Sequence, residues 1–90
     1  MAKFAAIMTF GDEAARLEAR PQHRAYLEGL LAEGKLHESG PWADDSGALI
    51  VYEAADEAEA RQLLAEDPYS QTDGVIADVQ LREWNRVNPA

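Results

Sequence analysis

Leu36-His37-Glu38-Ser39-Gly40-Pro41-Trp42-Ala43-Asp44-Asp45-Ser46-Gly47-Ala48-Leu49-Ile50-Val51-Tyr52-Glu53 decides the fold. Leu36 to Gly40 reads as a short strand, closed by Gly40-Pro41. Asp44-Asp45-Ser46-Gly47 reads as a turn, and Ala48 to Glu53 as the next strand. Two strands so close in sequence pair as an antiparallel hairpin. The segments on either side of that hairpin then settle the topology.

Toward the N-terminus, Pro21 suits the first position of a helix, where a missing N–H is no loss. The helix is expected to run to about Glu33, with Gly34 as its stop. Tyr26, Leu27, Leu30 and Leu31 give it an apolar stripe, and His23 falls on the same stripe. Asp12 to Arg20, charged and alanine-rich, reads as a loop with a helical turn. Before it, Phe4 to Phe10 is a strand-length apolar run ending at Gly11. Toward the C-terminus, Asp56 and Glu59 form a capping-box pattern that opens a second helix over about Glu57 to Glu66. Pro68 stops it by disfavouring helical geometry at Asp67. Gln71 to Gly74 is a turn, Val75 to Trp84 the last strand, and Asn85 to Ala90 a polar tail.

The order βαββαβ predicts an α+β, ferredoxin-like domain spanning residues 1–90: a four-stranded antiparallel sheet, in order 4-1-3-2, with two helices on one face. The first and third strands are apolar on both alternate sets of side chains, for example Phe4, Ala6, Met8 against Ala5, Ile7. The chain's own helices cover one face only. Strands apolar on both faces imply a cover for the other, and a homodimer joined sheet to sheet is the simplest one. A chain of this length buries only around two-thirds of its unfolded surface, so it gains from such an interface.

Composition narrows the function. A formal charge of −9 argues against nucleic acid, which needs clustered Lys and Arg. The one basic cluster, Arg16, Arg20 and Arg24, is too sparse to follow a duplex. There is no cysteine, which excludes disulfides, thiolate catalysis and zinc–sulfur sites. No apolar run approaches the roughly 20 residues of a membrane span. The N-terminal apolar run is interrupted by Gly11-Asp12-Glu13 and reads as a strand, not a secretion signal, so a cytoplasmic location is expected. The two histidines lack a carboxylate cluster at ligand spacing, and no phosphate-cradling or dinucleotide motif is present. No metal and no cofactor are expected.

The topology brings the start of the first helix and the end of the second to one edge of the sheet. His23 and Asp67 therefore converge, although far apart in sequence. A histidine beside a carboxylate in a cleft is a candidate for proton transfer, Asp67 orienting one ring nitrogen and leaving the other for substrate. At a helix start, the positive end of the helix would oppose the carboxylate's pull on an imidazolium. Ser39, Gly40 and Pro41 turn at the same edge, where backbone N–H groups can hold a substrate oxygen. Arg20 and Arg24 suit an anionic substrate. Each residue also has a structural reading: a histidine at a helix start, Asp-Pro as a helix stop, Ser-Gly-Pro as a turn, solvated arginines. Tyr26, Trp42 and Trp84 read as packing residues, Trp42 near the cleft, and His37 as exposed.

Taken in order, Arg20-Pro21-Gln22-His23, Tyr26-Leu27, Leu30, Glu33-Gly34-Lys35-Leu36, Ser39-Gly40-Pro41 and Asp67-Pro68-Tyr69 resemble the YCII-related (YciI-like) proteins. The resemblance covers nearly the whole chain. It implies a dimeric α+β barrel of ferredoxin-like subunits and an active site of a histidine and an aspartate, which fall here on His23 and Asp67. One branch of that family resembles cofactor-free dehydrochlorinases of chlorinated hydroxyhydroquinones, and the wider superfamily includes muconolactone isomerases. The loop between Trp42 and Ala48 is shorter here than in longer members, so no substrate carries over. Two readings follow. One is a cofactor-independent lyase or isomerase using His23 and Asp67 on a small anionic or ring-containing substrate. The other is a non-catalytic dimeric module binding a small molecule or partner in the same cleft. A cofactor-free monooxygenase of the related barrel class fits less well.

Overall fold

The hairpin is present as a pair of antiparallel strands in a computed structural model that describes residues 1–89. Its arms are β2 (Leu36–Pro41) and β3 (Gly47–Ala54), with Pro41 opposite Ala48 and Ser39 opposite Ile50. The register slips at His37, between the pairs Leu36–Tyr52 and Glu38–Val51. Gly47 starts β3 because a Cβ there would run into the carbonyl oxygen of Met8. The remaining elements are β1 (Ala2–Phe10), α1 (Glu13–Ala32), α2 (Glu57–Ala65), α3 (Pro68–Gln71) and β4 (Ile76–Trp84). The sheet order is β2-β3-β1-β4, every neighbouring pair antiparallel. This is the expected order, and the fold class is α+β, ferredoxin-like.

The first helix differs from expectation. It begins at Glu13, not at Pro21, and runs through the proline. Proline inside a helix removes a hydrogen bond and costs about 3 kcal/mol. Here good helix formers (Glu13, Ala14, Ala15, Arg16, Leu17) precede it, Asp12 caps the start by accepting from Ala14 N at 3.1 Å, and Arg16 and Ala19 are buried. Backbone bonds from Gly11 N to Val75 O (2.8 Å) and from Asp12 N to Gly74 O (2.7 Å) tie that start to the sheet. Gly34, at φ 77°, ends the helix as expected, with Lys35 N donating to Leu30 O.

Asp56 caps α2, accepting from Glu59 N at 2.9 Å, while Glu59 reaches back to Ala55 N. The second departure is α3, one short turn where only a stop was expected; it makes three helices, not two. Pro68 supplies its first residue and Asp67 its cap.

Phe4, Ala6 and Met8 of β1 and Ile50 and Tyr52 of β3 pack with Leu27, Leu30, Leu63, Leu64 and Tyr69 in one core. Leu31, expected in that stripe, is exposed. On the opposite face of the sheet Val51 and Ala5 are buried, Leu49 is half-buried and Ile7 is exposed. The tail returns toward this end of the sheet: Arg86 Nη1 comes within 3.5 Å of His37 Nε2 on β2. Ala90, the last residue of the expected tail, lies outside the described residues.

Candidate active site

His23 sits in the middle of α1 and points at the N-terminal end of α3. Its Nδ1 lies 2.7 Å from Asp67 Oδ1 and 3.0 Å from Oδ2. Asp67 is completely buried, and His23 nearly so. The same Oδ1 accepts the backbone N–H of Tyr69 at 2.9 Å, and the Asp67 carbonyl accepts from Ser70 N and Gln71 N. One carboxylate thus caps α3 and holds an imidazole of α1. Against an ionised carboxylate, which can only accept, Nδ1 is the donor, and in a neutral imidazole Nε2 is then the acceptor. The reason expected for their meeting needs correction. His23 is not in a first helical turn, so the N-terminus of its own helix does not act on it, and Asp67 is at the positive start of α3 as well as past the end of α2. That start favours a carboxylate.

Tyr69 fixes the imidazole from the side. Its ring lies parallel to that of His23, with centroids 3.7 Å apart and planes 2° from parallel. Phe10 meets Tyr69 edge-on at 5.7 Å, and the Arg16 guanidinium lies over Phe10 at 4.6 Å. Carboxylate, imidazole, phenol, phenyl and guanidinium therefore form one contiguous chain along the wall of a cleft.

That cleft, about 240 Å³, is lined by His23, Arg20, Arg24, Ser39, Gly40 and Pro41, every sequence-predicted site residue but Asp67. Asp67 stands behind His23, out of reach of an occupant. Phe10, Arg16, Tyr69 and Asp45 complete the polar and aromatic lining over a floor of Leu27, Ala48 and Ile50. Asp45 takes φ 60°, a left-handed conformation that Asp tolerates, in the turn before β3. Trp42, expected near the cleft, does not line it; Trp42 and Trp84 are substantially exposed, and neither is a core residue.

Neighbouring phenols carry the mark of the buried charge. Burial first, and then the carboxylates of Glu66, Asp67 and Glu33, push Tyr26 up to about 12. Tyr26 is a packing residue, its hydroxyl donating to Leu63 O at 2.7 Å. Tyr52 is shifted upward more strongly, by burial and then by Asp67. Tyr69 is raised by burial, against the opposing charges of Arg16 and Arg20. Among the described residues no group of three or more His, Asp or Glu is placed to hold a metal ion. Among the described residues no helix is long and apolar enough to cross a membrane.

Two site residues escaped the sequence reading. Arg16 was grouped only as part of a sparse basic cluster; its spacing from Arg20 and Arg24, one helical turn each, is the signal that places all three on one face. Tyr69 enters the sequence reading only within the family-like stretch Asp67-Pro68-Tyr69, and nothing local marks its stacking.

The model of the YCII-related domain matches residues 2–85. The chain belongs to the YCII-related domain family. A search of curated proteins found no match. Among solved structures, this YCII-related chain is similar to 5-chloro-2-hydroxyhydroquinone dehydrochlorinase from Burkholderia phenoliruptrix in complex with 2,5-dihydroxybenzoquinone. The two are 24% identical with a TM-score of 0.78, over 94% of this chain and 95% of that one. It is also similar to a muconolactone isomerase, at 15% identity and TM-score 0.75 over 98% and 93% of the chains. An antibiotic biosynthesis monooxygenase shares 17% identity at TM-score 0.65, over 97% and 99%. At these identities the likeness establishes the common fold.

Proposed function

We propose that this YCII-related protein is a cofactor-independent lyase or isomerase that moves a proton on a small anionic, ring-containing substrate. The observation carrying the reading is the buried 2.7 Å contact between His23 Nδ1 and Asp67, with His23 set in the wall of an arginine-lined cleft. His23 Nε2 takes a proton from an acidic C–H or O–H of the substrate and becomes an imidazolium. Asp67 orients the ring and balances the new positive charge without itself taking the proton. The electron pair left on the substrate is delocalised onto an oxygen, held by Ser39, the backbone around Gly40 and Pro41, and the guanidiniums of Arg20 and Arg24. The imidazolium then returns the proton to another carbon, which is an isomerisation, or the substrate expels an anionic leaving group and the imidazolium gives its proton to solvent, which is an elimination. The names of the dehydrochlorinase and isomerase neighbours support this chemistry. General acid–base assistance of this kind is worth about 10²- to 10⁴-fold in rate.

We further propose that the protein acts as a homodimer through the outer sheet face, where Ile7 and Leu49 remain accessible. A second reading has a specific observation in its favour. Asp67 has a structural task in capping α3, which a non-catalytic binding module would also need.

The test is deuterium exchange at acidic carbons of small ring anions, followed by NMR in D₂O. The enzyme reading expects exchange with wild type that is lost in His23→Ala and in Asp67→Asn. Saturable binding with no exchange, or exchange undiminished in both variants, would sink it and leave the binding module.

A further inference from the structure

Arg16 is buried to 7% exposure, and its Nε has no hydrogen-bond partner. Leaving a charged donor unpaired inside a protein is costly, and native folds avoid it unless something else supplies the acceptor. Arg16 also forms no ion pair among the described residues, and neither do Arg20 and Arg24. In a chain with 17 acidic residues, three of the eight basic ones line a single cleft without a partner. They sit at successive turns of α1, a spacing at which like charges repel. The carboxylate lining the same cleft, Asp45, belongs to the turn across from them and pairs with none. The cleft is electrostatically incomplete as it stands, and an anion completes it.

The walls say what kind of anion. The Arg16 guanidinium carbon lies 4.6 Å from the centre of the Phe10 ring, a contact that limits where its fork of donors can reach. The lining below it is aromatic or aliphatic: Phe10, Tyr69, Leu27, Ile50. A cavity of about 150 Å³ accepts a benzene ring. The 240 Å³ here takes one substituted ring and has no room for two.

We propose that Arg16 is the anchor for the cleft's ligand, and that this ligand is a single planar ring carrying a delocalised oxyanion. The proposal deepens the lyase or isomerase reading and rests on it for the choice of cleft, but not for the anchor. Arg16 holds the oxyanion by a forked pair of N–H donors, the ring lies against Phe10 and Tyr69, and the acidic position is presented to His23. Arg20 and Arg24, nearer the solvent, draw the anion in and brace the same oxyanion from the entrance side.

Four probes test it on the whole protein: benzoate, its neutral isostere benzamide, 2,5-dihydroxybenzoquinone, and inorganic phosphate. Binding is read from the arginine Nε–Hε signals in ¹H–¹⁵N spectra and by calorimetry. Benzoate or dihydroxybenzoquinone should bind with the Arg16 signal shifting most. Preference for the first identifies a carboxylate ligand, and for the second an enolic or phenolic one. Benzamide should not compete. Arg16→Gln should weaken the preferred probe by roughly tenfold to a hundredfold. Arg16→Lys, which keeps charge and most of the volume, should lose most of that affinity too, and Arg61→Gln, on the far helix, none. Several results overturn the proposal: benzamide binding as tightly as benzoate, phosphate matching the rings (an adventitious ion only), no probe binding, or Arg61→Gln weakening binding as much as Arg16→Gln. Because the readout is affinity, the anchor can stand where wild type shows no exchange chemistry, and fall where it does.

Discussion

Replacing Asp67 by Asn changes one oxygen for an NH₂ group and turns the His23 contact round. In the native pair, Nδ1–H donates to a buried carboxylate at 2.7 Å, with the second oxygen at 3.0 Å. The acceptor is fully buried, so water does not weaken the preference. A hydrogen bond to a charged group in such a setting contributes about 1.5–3 kcal/mol, which favours the Nδ1–H tautomer by roughly ten- to hundredfold. In Asp67→Asn the amide oxygen can still cap α3 by accepting from Tyr69 N. Its NH₂ group then takes the Oδ2 place, 3.0 Å from Nδ1, as a competing donor, and the negative charge that favoured Nδ1–H is gone, so the ring proton shifts toward Nε2. The nitrogen proposed to accept a proton from substrate is thereby occupied more often, while the cap of α3 is kept. Long-range ¹H–¹⁵N spectra of the imidazoles read the tautomer directly, with His37 as an internal reference. The expected result is Nδ1–H in wild type, Nε2–H in the variant, and any proton-transfer activity reduced by about 10²- to 10⁴-fold. An Nε2–H tautomer already present in wild type, or no change in the variant, refutes the reasoning.

Three further expectations concern the frame around the site. Pro21→Ala restores a backbone donor inside α1 and should raise stability by about 1–3 kcal/mol in urea melts, part of the gain being offset by a looser unfolded chain. Tyr26→Phe removes the bond to Leu63 O and should cost about 1 kcal/mol at neutral pH. It should also change the alkaline limb. With Tyr26 raised to about 12 in the fold and near 10 unfolded, the native state holds the proton more tightly. The stabilisation is complete below pH about 10 and is lost as pH climbs toward 12. A urea midpoint that falls more gently over that window in the variant than in wild type meets the expectation; identical slopes do not. Ile7→Asp, on the outer sheet face away from the cleft, should convert a dimer to monomer in sedimentation while leaving the histidine tautomer unchanged.

Hairpin, strand order and α2 were legible because each rests on local chemistry: Asp44 to Gly47 for the turn, Asp56 with Glu59 for the cap, and strand-length apolar runs. The start of α1 was not. Proline marks a helix start far more often than a helix interior, and the burial of Arg16 and Ala19 that overrides this lies in tertiary packing. The length of α3 was hidden for a related reason, since Pro68 serves equally as a stop and as a first residue. The His23–Asp67 encounter was anticipated from chain direction, with the wrong helical turn assigned to the histidine. Its geometry depends on α3, which redirects the chain at Asp67. Arg16 stayed unrecognised because exposure is the ordinary state of an arginine, and only the folded cleft reveals one without a partner.

The double duty of the Asp67 carboxylate has an evolutionary side. An aliphatic residue at this position would release α3 and strand the imidazole together, so it would be removed for misfolding before any question of activity arose. A descendant that lost the proposed chemistry would still need a capping side chain here, Asp or its amide Asn, in order to fold. Selection for foldability and selection for the proposed proton transfer would act here on one oxygen, and the apparatus could outlast a change of substrate.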